Sequence, residues 1–138
     1  MNDFTPMVRN KHLTYYTAPG MVTQSLLVKL SKDFEAGLEE IITGGREENL
    51  VAARYCLFWY LHRREKVPYL QLEKKTGMDH ATIRHGVLRL ESTLRDPRTW
   101  ESYGPKMAEF VQHAGMFRLS QPEKALIYEL FRKRKEIY

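Results

Sequence analysis

The chain has 138 residues, 43% of them hydrophobic, so it can bury one core of ordinary size, and Lys and Arg outnumber Asp and Glu by only 22 to 17. This mild positive charge permits a phosphate-binding surface but does not require one. The single cysteine excludes an intramolecular disulfide, and neither a signal peptide nor an apolar run of the roughly 20 residues that a membrane span needs is visible. We therefore expect a soluble, cytoplasmic protein with no membrane partner.

The first 43 residues divide into an arm and a helix. Residues 1–20 mix proline, glycine and polar side chains without helical spacing, which predicts a flexible N-terminal arm. From 21 to 43, apolar residues recur about every four positions, at Val22, Leu26, Leu30, Phe34, Leu38 and Ile41 or Ile42. This spacing predicts one amphipathic helix that ends at Thr43-Gly44-Gly45.

Residues 46–64 are apolar on most sides of a helix. Acids at Glu47 and Glu48 suit a helix amino end, and apolar side chains follow as far as Leu61. We predict a helix at the centre of the core, in which Cys56 is a small core residue rather than a reactive thiol. The cations that close it at 62–66 suit the helix dipole, and they could equally lie against phosphates.

Residues 67–78 predict a short helix and a tight turn. Pro68 can occupy the first turn of the helix. Its inward side chains are predicted to be Tyr69, Leu70 and Leu72, and its outward ones Lys74 and Lys75. Gly77 can adopt a positive φ and turn the chain sharply.

A longer helix is predicted from Asp79 to the stop at Asp96-Pro97. The Asp79 carboxylate can accept hydrogen bonds from the first N–H groups of this helix. One stripe comprises Ile83, Val87, Leu90 and Leu94, and the side chains that project away from it are Ala81, Arg84, His85 and Leu88, with His80 and Thr82 on the flanks. No acid occurs between His80 and Leu90, so this exposed face is typical of a helix that reads base edges.

The carboxyl-terminal third predicts two more helices. One covers about 106–113, and the other begins at the capping box Ser120-Gln121-Pro122-Glu123, with Leu126, Ile127, Leu130 and Phe131 inside. The final Arg132-Lys133-Arg134-Lys135 is interpreted as a solvated helix end, with a phosphate-binding tail as the alternative. The chain is thus predicted to be all-α, with about six helices in a single helical domain from 21 to 138.

Motifs of enzyme chemistry are absent from the sequence. It contains no Gly-x-x-x-x-Gly-Lys-Ser/Thr loop, no Gly-x-Ser-x-Gly, no His-Glu-x-x-His and no Cys-x-x-Cys. His80 and His85 are five residues apart, which places them about 140° apart around a helix, an unsuitable spacing for metal ligands. We therefore expect no enzyme activity, no metal and no cofactor.

The segment from Arg54 to about Glu91 resembles a known DNA-binding domain. Its core is Thr76-Gly77-Met78-Asp79-His80-Ala81-Thr82-Ile83-Arg84-His85, preceded by Val67-Pro68-Tyr69-Leu70-Gln71-Leu72. These strings are similar to the signature of the C-terminal domain (domain IV) of the bacterial replication initiator DnaA. The resemblance implies a Trp-repressor-like helix-turn-helix at about 67–96.

The resemblance also implies roles for individual residues. Asp79, His80, Ala81 and Thr82 match family positions at the start of the recognition helix that approach bases and backbone in the major groove, and His85 matches the family's second histidine. Arg54 matches a helix-start arginine near the DNA backbone, and Lys74 lies where the first helix of the motif approaches phosphates. With the outward Lys75 and Arg84, the expected DNA-binding residues are Arg54, Lys74, Lys75, Asp79, His80, Ala81, Thr82, Arg84 and His85.

Two functions follow as hypotheses. The first is sequence-specific binding of double-stranded DNA at an origin-like or operator site, by a monomer or homodimer that controls replication initiation or transcription. It would act at the bacterial nucleoid or as a phage or mobile-element protein inside a bacterium. The alternative is a module that uses the same scaffold to bind a protein, such as a partner in the replication machinery, without binding DNA. Glu47, Glu48, Met78 and Leu88 favour this alternative.

Overall fold

The computed structural model describes residues 26–43, 45–116 and 119–137, and within them the chain is all-α. The α-helices of the described residues are α1 (Leu26–Asp33), α2 (Leu38–Thr43), α3 (Glu48–Trp59), α4 (Tyr69–Thr76), α5 (His80–Arg95), α6 (Gly104–Gln112) and α7 (Gln121–Ile137). A π-helical turn, Tyr60–Arg64, continues α3, and 3₁₀ turns, Pro97–Trp100 and Ala114–Met116, flank α6. The predicted arm at 1–20 lies outside the described residues. No described helix is long and apolar enough to cross a membrane.

The prediction of one helix over 21–43 is wrong, because the chain breaks between α1 and α2. Glu35 adopts a left-handed φ of 53°, which ends α1. The Gly37 N–H then donates to Glu40 Oε1 at 2.9 Å and starts α2. The Asn49 side chain, from the first turn of α3, donates to the Phe34 carbonyl at 3.0 Å. The apolar ladder is buried as predicted from Leu26 to Ile42, but on two helices that pack separately.

Helix α3 lies at the centre of the core, as its apolar circumference predicts. Leu57, Phe58 and Cys56 have no exposed surface. Burial raises the pKa of the Cys56 thiol well above its usual value, so the thiol stays protonated at neutral pH. The interpretation of Cys56 as a core residue is confirmed.

Helices α5 and α3 lie closer together than they could if both helices contributed a side chain at their contact. Gly86 makes this possible: a Cβ at this position would lie 2.6 Å from Tyr55 Cδ1 and 3.3 Å from Phe58 Cδ2. The aromatic rings of α3 therefore lie directly against the backbone of α5. Gly86 thus fixes how deeply α5 sits and, with it, how far the opposite side of α5 projects from the core.

The carboxyl-terminal helices α6 and α7 complete the core. The predicted capping box is confirmed at α7: the Ser120 N–H donates to Glu123 Oε1 at 3.1 Å, and the Glu123 N–H donates to Ser120 Oγ at 3.3 Å. Ile127, Leu130 and Phe131 of α7 are buried, and Leu126 is partly buried against the core. The predicted helix at 106–113 is α6, which begins two residues earlier, at Gly104.

Candidate nucleic-acid interface

Helices α4 and α5 are joined by a turn that local hydrogen bonds hold in place. Gly77 adopts the left-handed conformation, with φ 75° and ψ 4°, and its N–H donates to the Glu73 carbonyl at 2.8 Å. The buried Thr76 hydroxyl donates to the Leu72 carbonyl at 2.7 Å and accepts from the Met78 N–H at 3.2 Å. The turn predicted at Gly77 is confirmed, and it sets the angle at which α5 leaves α4.

Asp79 occupies the N-cap position of α5, but its carboxylate does not cap the helix. The predicted side-chain cap is therefore wrong. The Asp79 carbonyl accepts the first helical bonds, from the N–H groups of Thr82 at 3.0 Å and Ile83 at 3.2 Å. The carboxylate is 62% exposed and lies 3.8 Å from His80 Nδ1. The amino end of α5 thus presents its side chains to solvent rather than to its own backbone.

His80 is held at this end by an acid of α4. Its Nδ1 lies 2.7 Å from Glu73 Oε1, so the hydrogen bond bridges the turn. Glu73, Asp79 and His80 together place three possible metal-ligand atoms within 4.8 Å of one another. Since His80 and Asp79 are exposed and the Glu73 bond already occupies His80 Nδ1, we interpret the arrangement as a surface hydrogen bond across the turn.

The two sides of α5 differ as its spacing predicts. Ile83, Val87 and Leu90 have no exposed surface, and Leu94 is partly buried. We define the outward face of α5 as the exposed residues Ala81, Arg84, His85 and Leu88. His80 and Thr82 are exposed beside it. The predicted base-reading candidates on α5 are thus brought together on one accessible side.

One flank of the outward face carries a fixed ion pair. The Arg63 guanidinium donates to both Glu91 oxygens, at 2.8 and 2.9 Å, and this hydrogen bonding raises the pKa of Arg63. Beside it, Tyr69 stacks on His62 with ring centroids 3.7 Å apart. His62 Nδ1 lies 2.9 Å from the Val67 carbonyl, which can only accept, so this nitrogen donates. The Glu91 carboxylate on this flank is therefore already neutralised by a cation.

The other flank borders a cleft that sequence reasoning missed. His85 lies edge-on to Tyr55 with centroids 6.0 Å apart, and the Arg89 guanidinium lies 4.7 Å from the centroid of the Trp100 ring. Trp100 Nε1 in turn donates to Glu48 Oε2 at 2.9 Å. These side chains line a cleft of about 380 Å³. No motif links Glu48, Arg89 and Trp100, so only the packing of α3, α5 and the Pro97–Trp100 turn could reveal it.

The three cations that are predicted to contact the DNA backbone lie in different surroundings. Lys74 and Lys75 are exposed on α4, and Lys75 Nζ lies 5.8 Å from the centroid of the Tyr128 ring. Arg54 is only partly exposed: its Nε donates to the Ile41 carbonyl at 2.7 Å and its Nη2 to the Gly45 carbonyl at 3.2 Å. Arg54 therefore holds the carboxyl end of α2, whereas the two lysines project from the surface.

Leu70 departs from its predicted place. It was expected to face inwards from α4, but it is 63% exposed, whereas Leu72 is fully buried. The short helix presents only a narrow side to the core, which Leu72 and Thr76 occupy four residues apart.

The α4–α5 unit therefore combines imidazole, guanidinium, hydroxyl and methyl groups on one accessible side. These groups can hydrogen-bond base edges or phosphates, or contact a thymine methyl. No protein-family model, curated protein or solved structure matches the chain.

Proposed function

We propose that the chain binds double-stranded DNA sequence-specifically, with α4, the Gly77 turn and α5 acting as a helix-turn-helix similar to that of DnaA domain IV. The observation that carries the proposal is the division of α5: Ile83, Val87 and Leu90 are fully buried, while the opposite side is exposed from its first turn. A helix anchored in this way can enter a major groove while its inward side stays packed in the core.

Within this proposal, α5 reads the bases. Arg84 can form two parallel bonds to a guanine, and the Ala81 methyl can contact a thymine methyl. His80, Thr82 and His85 offer shorter polar groups, and Asp79 lies at the helix start, where it can accept from a cytosine amino group. Because a recognition helix contacts base edges with its amino-terminal residues, this set lies where the contacts are needed.

Phosphate contacts are assigned to Lys74 and Lys75, which are exposed on α4. Arg54 receives a different role from the one that the resemblance implies. Because its guanidinium is bonded to the carbonyls of Ile41 and Gly45, we assign it to positioning the segment before α3. We propose no catalytic step and no cofactor, so binding is the whole activity, in control of replication initiation or of transcription.

The test is selection of bound sequences from a random duplex pool, followed by anisotropy titration of the enriched duplex. We expect an enriched site whose affinity falls steeply with salt, by more than tenfold between about 50 and 200 mM. Arg84→Ala should weaken binding of the enriched site, whereas Lys32→Ala, on α1, should not. A palindromic site would indicate a homodimer, and a single asymmetric site a monomer. Absence of enrichment and of binding at about 50 mM salt would refute the proposal.

A second candidate is protein binding by the same two helices. The observation that favours it is the exposure of two large apolar side chains, Leu70 at 63% and Leu88 at 41%. The double variant His80→Ala, Arg84→Glu separates the two functions, since it removes DNA contacts and leaves both leucines in place. If this variant, shown not to bind DNA, still restores the phenotype of a strain that lacks the protein, the second function is favoured.

A further inference from the structure

A groove of about 350 Å³ lies where the last turn of α4 meets α7. On the α4 side it is lined by Lys75, and on the α7 side by Gln121, Lys124, Tyr128 and Arg132. We call it the α4–α7 groove. Lys75 Nζ lies 5.8 Å from the centre of the Tyr128 ring, so the groove continues the exposed surface of α4 onto α7.

The α7 side of this groove is a regular stripe. Lys124, Tyr128 and Arg132 follow one another at intervals of four residues, so they lie along one side of the helix. At about 1.5 Å per residue the stripe is roughly 12 Å long. It offers an ammonium, a phenol and a guanidinium, all of which donate hydrogen bonds to phosphate oxygens in protein–DNA complexes.

Cations dominate the groove. Lys75, Lys124 and Arg132 line it, against one acid, Glu129. Arg132 donates to Glu129 at 2.8 Å across an exposed i, i+3 pair, which is weak enough to exchange for a phosphate. Lys124 Nζ lies 2.6 Å from Glu65 Oε1, and this partly buried pair holds the ammonium at the groove wall. An ammonium has three N–H donors, so others remain for a phosphate. Lys75 has no carboxylate within ion-pair distance among the residues that the structure describes.

We propose that the α4–α7 groove holds the phosphate backbone of the DNA that flanks the site read by α5. The inference rests on the proposed function, because in a helix-turn-helix the first helix crosses the backbone while the second enters the groove. A cationic groove on the last turn of α4 then meets phosphates outside the base contacts. Helix α7 lies beyond the segment that resembles DnaA domain IV, so it adds a DNA contact that the helix-turn-helix alone would lack.

The test uses the full chain and two duplexes. The short duplex carries only the core sequence obtained by selection from the random pool, and the long one extends it by about one helical turn on each side. The variant is Lys124→Gln with Arg132→Gln. The charge-matched control is Lys32→Gln with Arg98→Gln, two exposed cations outside α4, α5 and α7. Because Lys124→Gln leaves Glu65 without this ion pair, a second variant, Arg132→Glu, keeps the Lys124–Glu65 pair intact.

We expect the double variant to bind the long duplex about tenfold more weakly than the control does, with a salt slope lower by about two, one unit for each phosphate that the variant no longer neutralises. Binding of the short duplex should change by less than about twofold. Arg132→Glu should show the same selectivity for the long duplex.

Three results would overturn the inference. If both variants match the control on the long duplex, the groove binds no flanking phosphate, while base reading by α5 stands. If both duplexes lose affinity equally, the groove contacts the core site instead. If the unmodified chain binds neither duplex, the proposed function fails and the groove proposal fails with it.

Discussion

The inward and outward sides of α5 differ in almost everything except their helical backbone. Inward, Ile83, Val87 and Leu90 are fully buried, and Gly86 lets the Tyr55 ring touch the helix backbone. Outward, Arg84 and its neighbours are exposed. The comparison teaches that the two sides of one helix can serve different purposes. The inward side stabilises the fold, and the outward side is accessible to a binding partner. Substitutions on one side at a time test whether the other side responds.

The largest expected effect on stability is the difference between two leucines of α5 that lie two residues apart. Leu90→Ala should lower the free energy of unfolding by about 2–5 kcal/mol, because it opens a cavity in a packed core. Leu88→Ala removes the same atoms from a side chain that is 41% exposed, so its cost should stay under about 1 kcal/mol. Urea denaturation followed by circular dichroism measures both. Equal losses would contradict the assignment of the two sides.

Gly86→Ala should also destabilise the fold, although alanine is the better helix former by about 1 kcal/mol. The added Cβ would lie 2.6 Å from Tyr55 Cδ1, so the ring or the helix has to shift. We expect a net loss of about 1–3 kcal/mol by denaturant unfolding. Ser92→Ala, on the exposed side of the same helix, is the control and should be neutral or slightly stabilising. A stabilised Gly86→Ala protein would show that α5 does not pack this closely on α3.

The buried thiol of α3, the helix on which the inward side of α5 packs, predicts a pH dependence. Because burial raises the pKa of Cys56, the unfolded chain loses the thiol proton at a lower pH than the folded chain. The resulting stabilisation is complete below the ordinary thiol pKa and is lost as the pH rises above it, by up to about 1.4 kcal/mol per pH unit. Unfolding free energies at about pH 7.5 and 9.5 should fall less steeply for Cys56→Ala than for the unmodified chain. Parallel pH profiles would show that Cys56 does not contribute.

Leu88→Arg is expected to have the smallest effect on stability and to strengthen binding of the selected duplex. Unfolding free energy should change by less than about 0.5 kcal/mol, because the side chain already projects outwards. If α5 lies in a major groove, the new cation should raise affinity for the selected duplex by about three- to tenfold and steepen the salt slope by about one. Met116→Arg adds the same charge at a side chain that is 63% exposed and outside α4 and α5. An identical gain from Met116→Arg would mean that the effect is not specific to the outward face.

Local rules succeeded at several places where the deciding atoms lie within a few residues of one another, although they failed for the Asp79 cap and for Leu70. The Ser120–Glu123 capping box, the left-handed turn at Gly77 and the two sides of α5 are all encoded by spacings of three or four residues. The same holds for the all-α class, because the apolar periodicity is helical throughout. The exposed side of α5, on which the proposed contacts lie, is therefore as well determined by the sequence as its buried side.

Contacts between distant residues decided other features that the sequence did not predict. The helix predicted over 21–43 breaks at Glu35, and the Asn49 side chain bonds the Phe34 carbonyl 15 residues away. Arg54 donates to the carbonyls of Ile41 and Gly45, which lie 13 and 9 residues away. Glu48 accepts a hydrogen bond from the Trp100 indole 52 residues along the chain, which gives the acid that begins α3 a structural role.

The sequence by itself thus determined which residues turn inwards and which outwards along α5 and α7, since a helix repeats every 3.6 residues whatever surrounds it. Only the tertiary structure decided how close the helices come, which polar groups are already bonded, and that α4 and α7 share a cationic groove. The physical reason is that packing distance and hydrogen-bond pairing depend on side chains supplied from far along the chain. Gly86 illustrates both: its position on the inward side follows from periodicity, whereas its contact with Tyr55 follows from the fold.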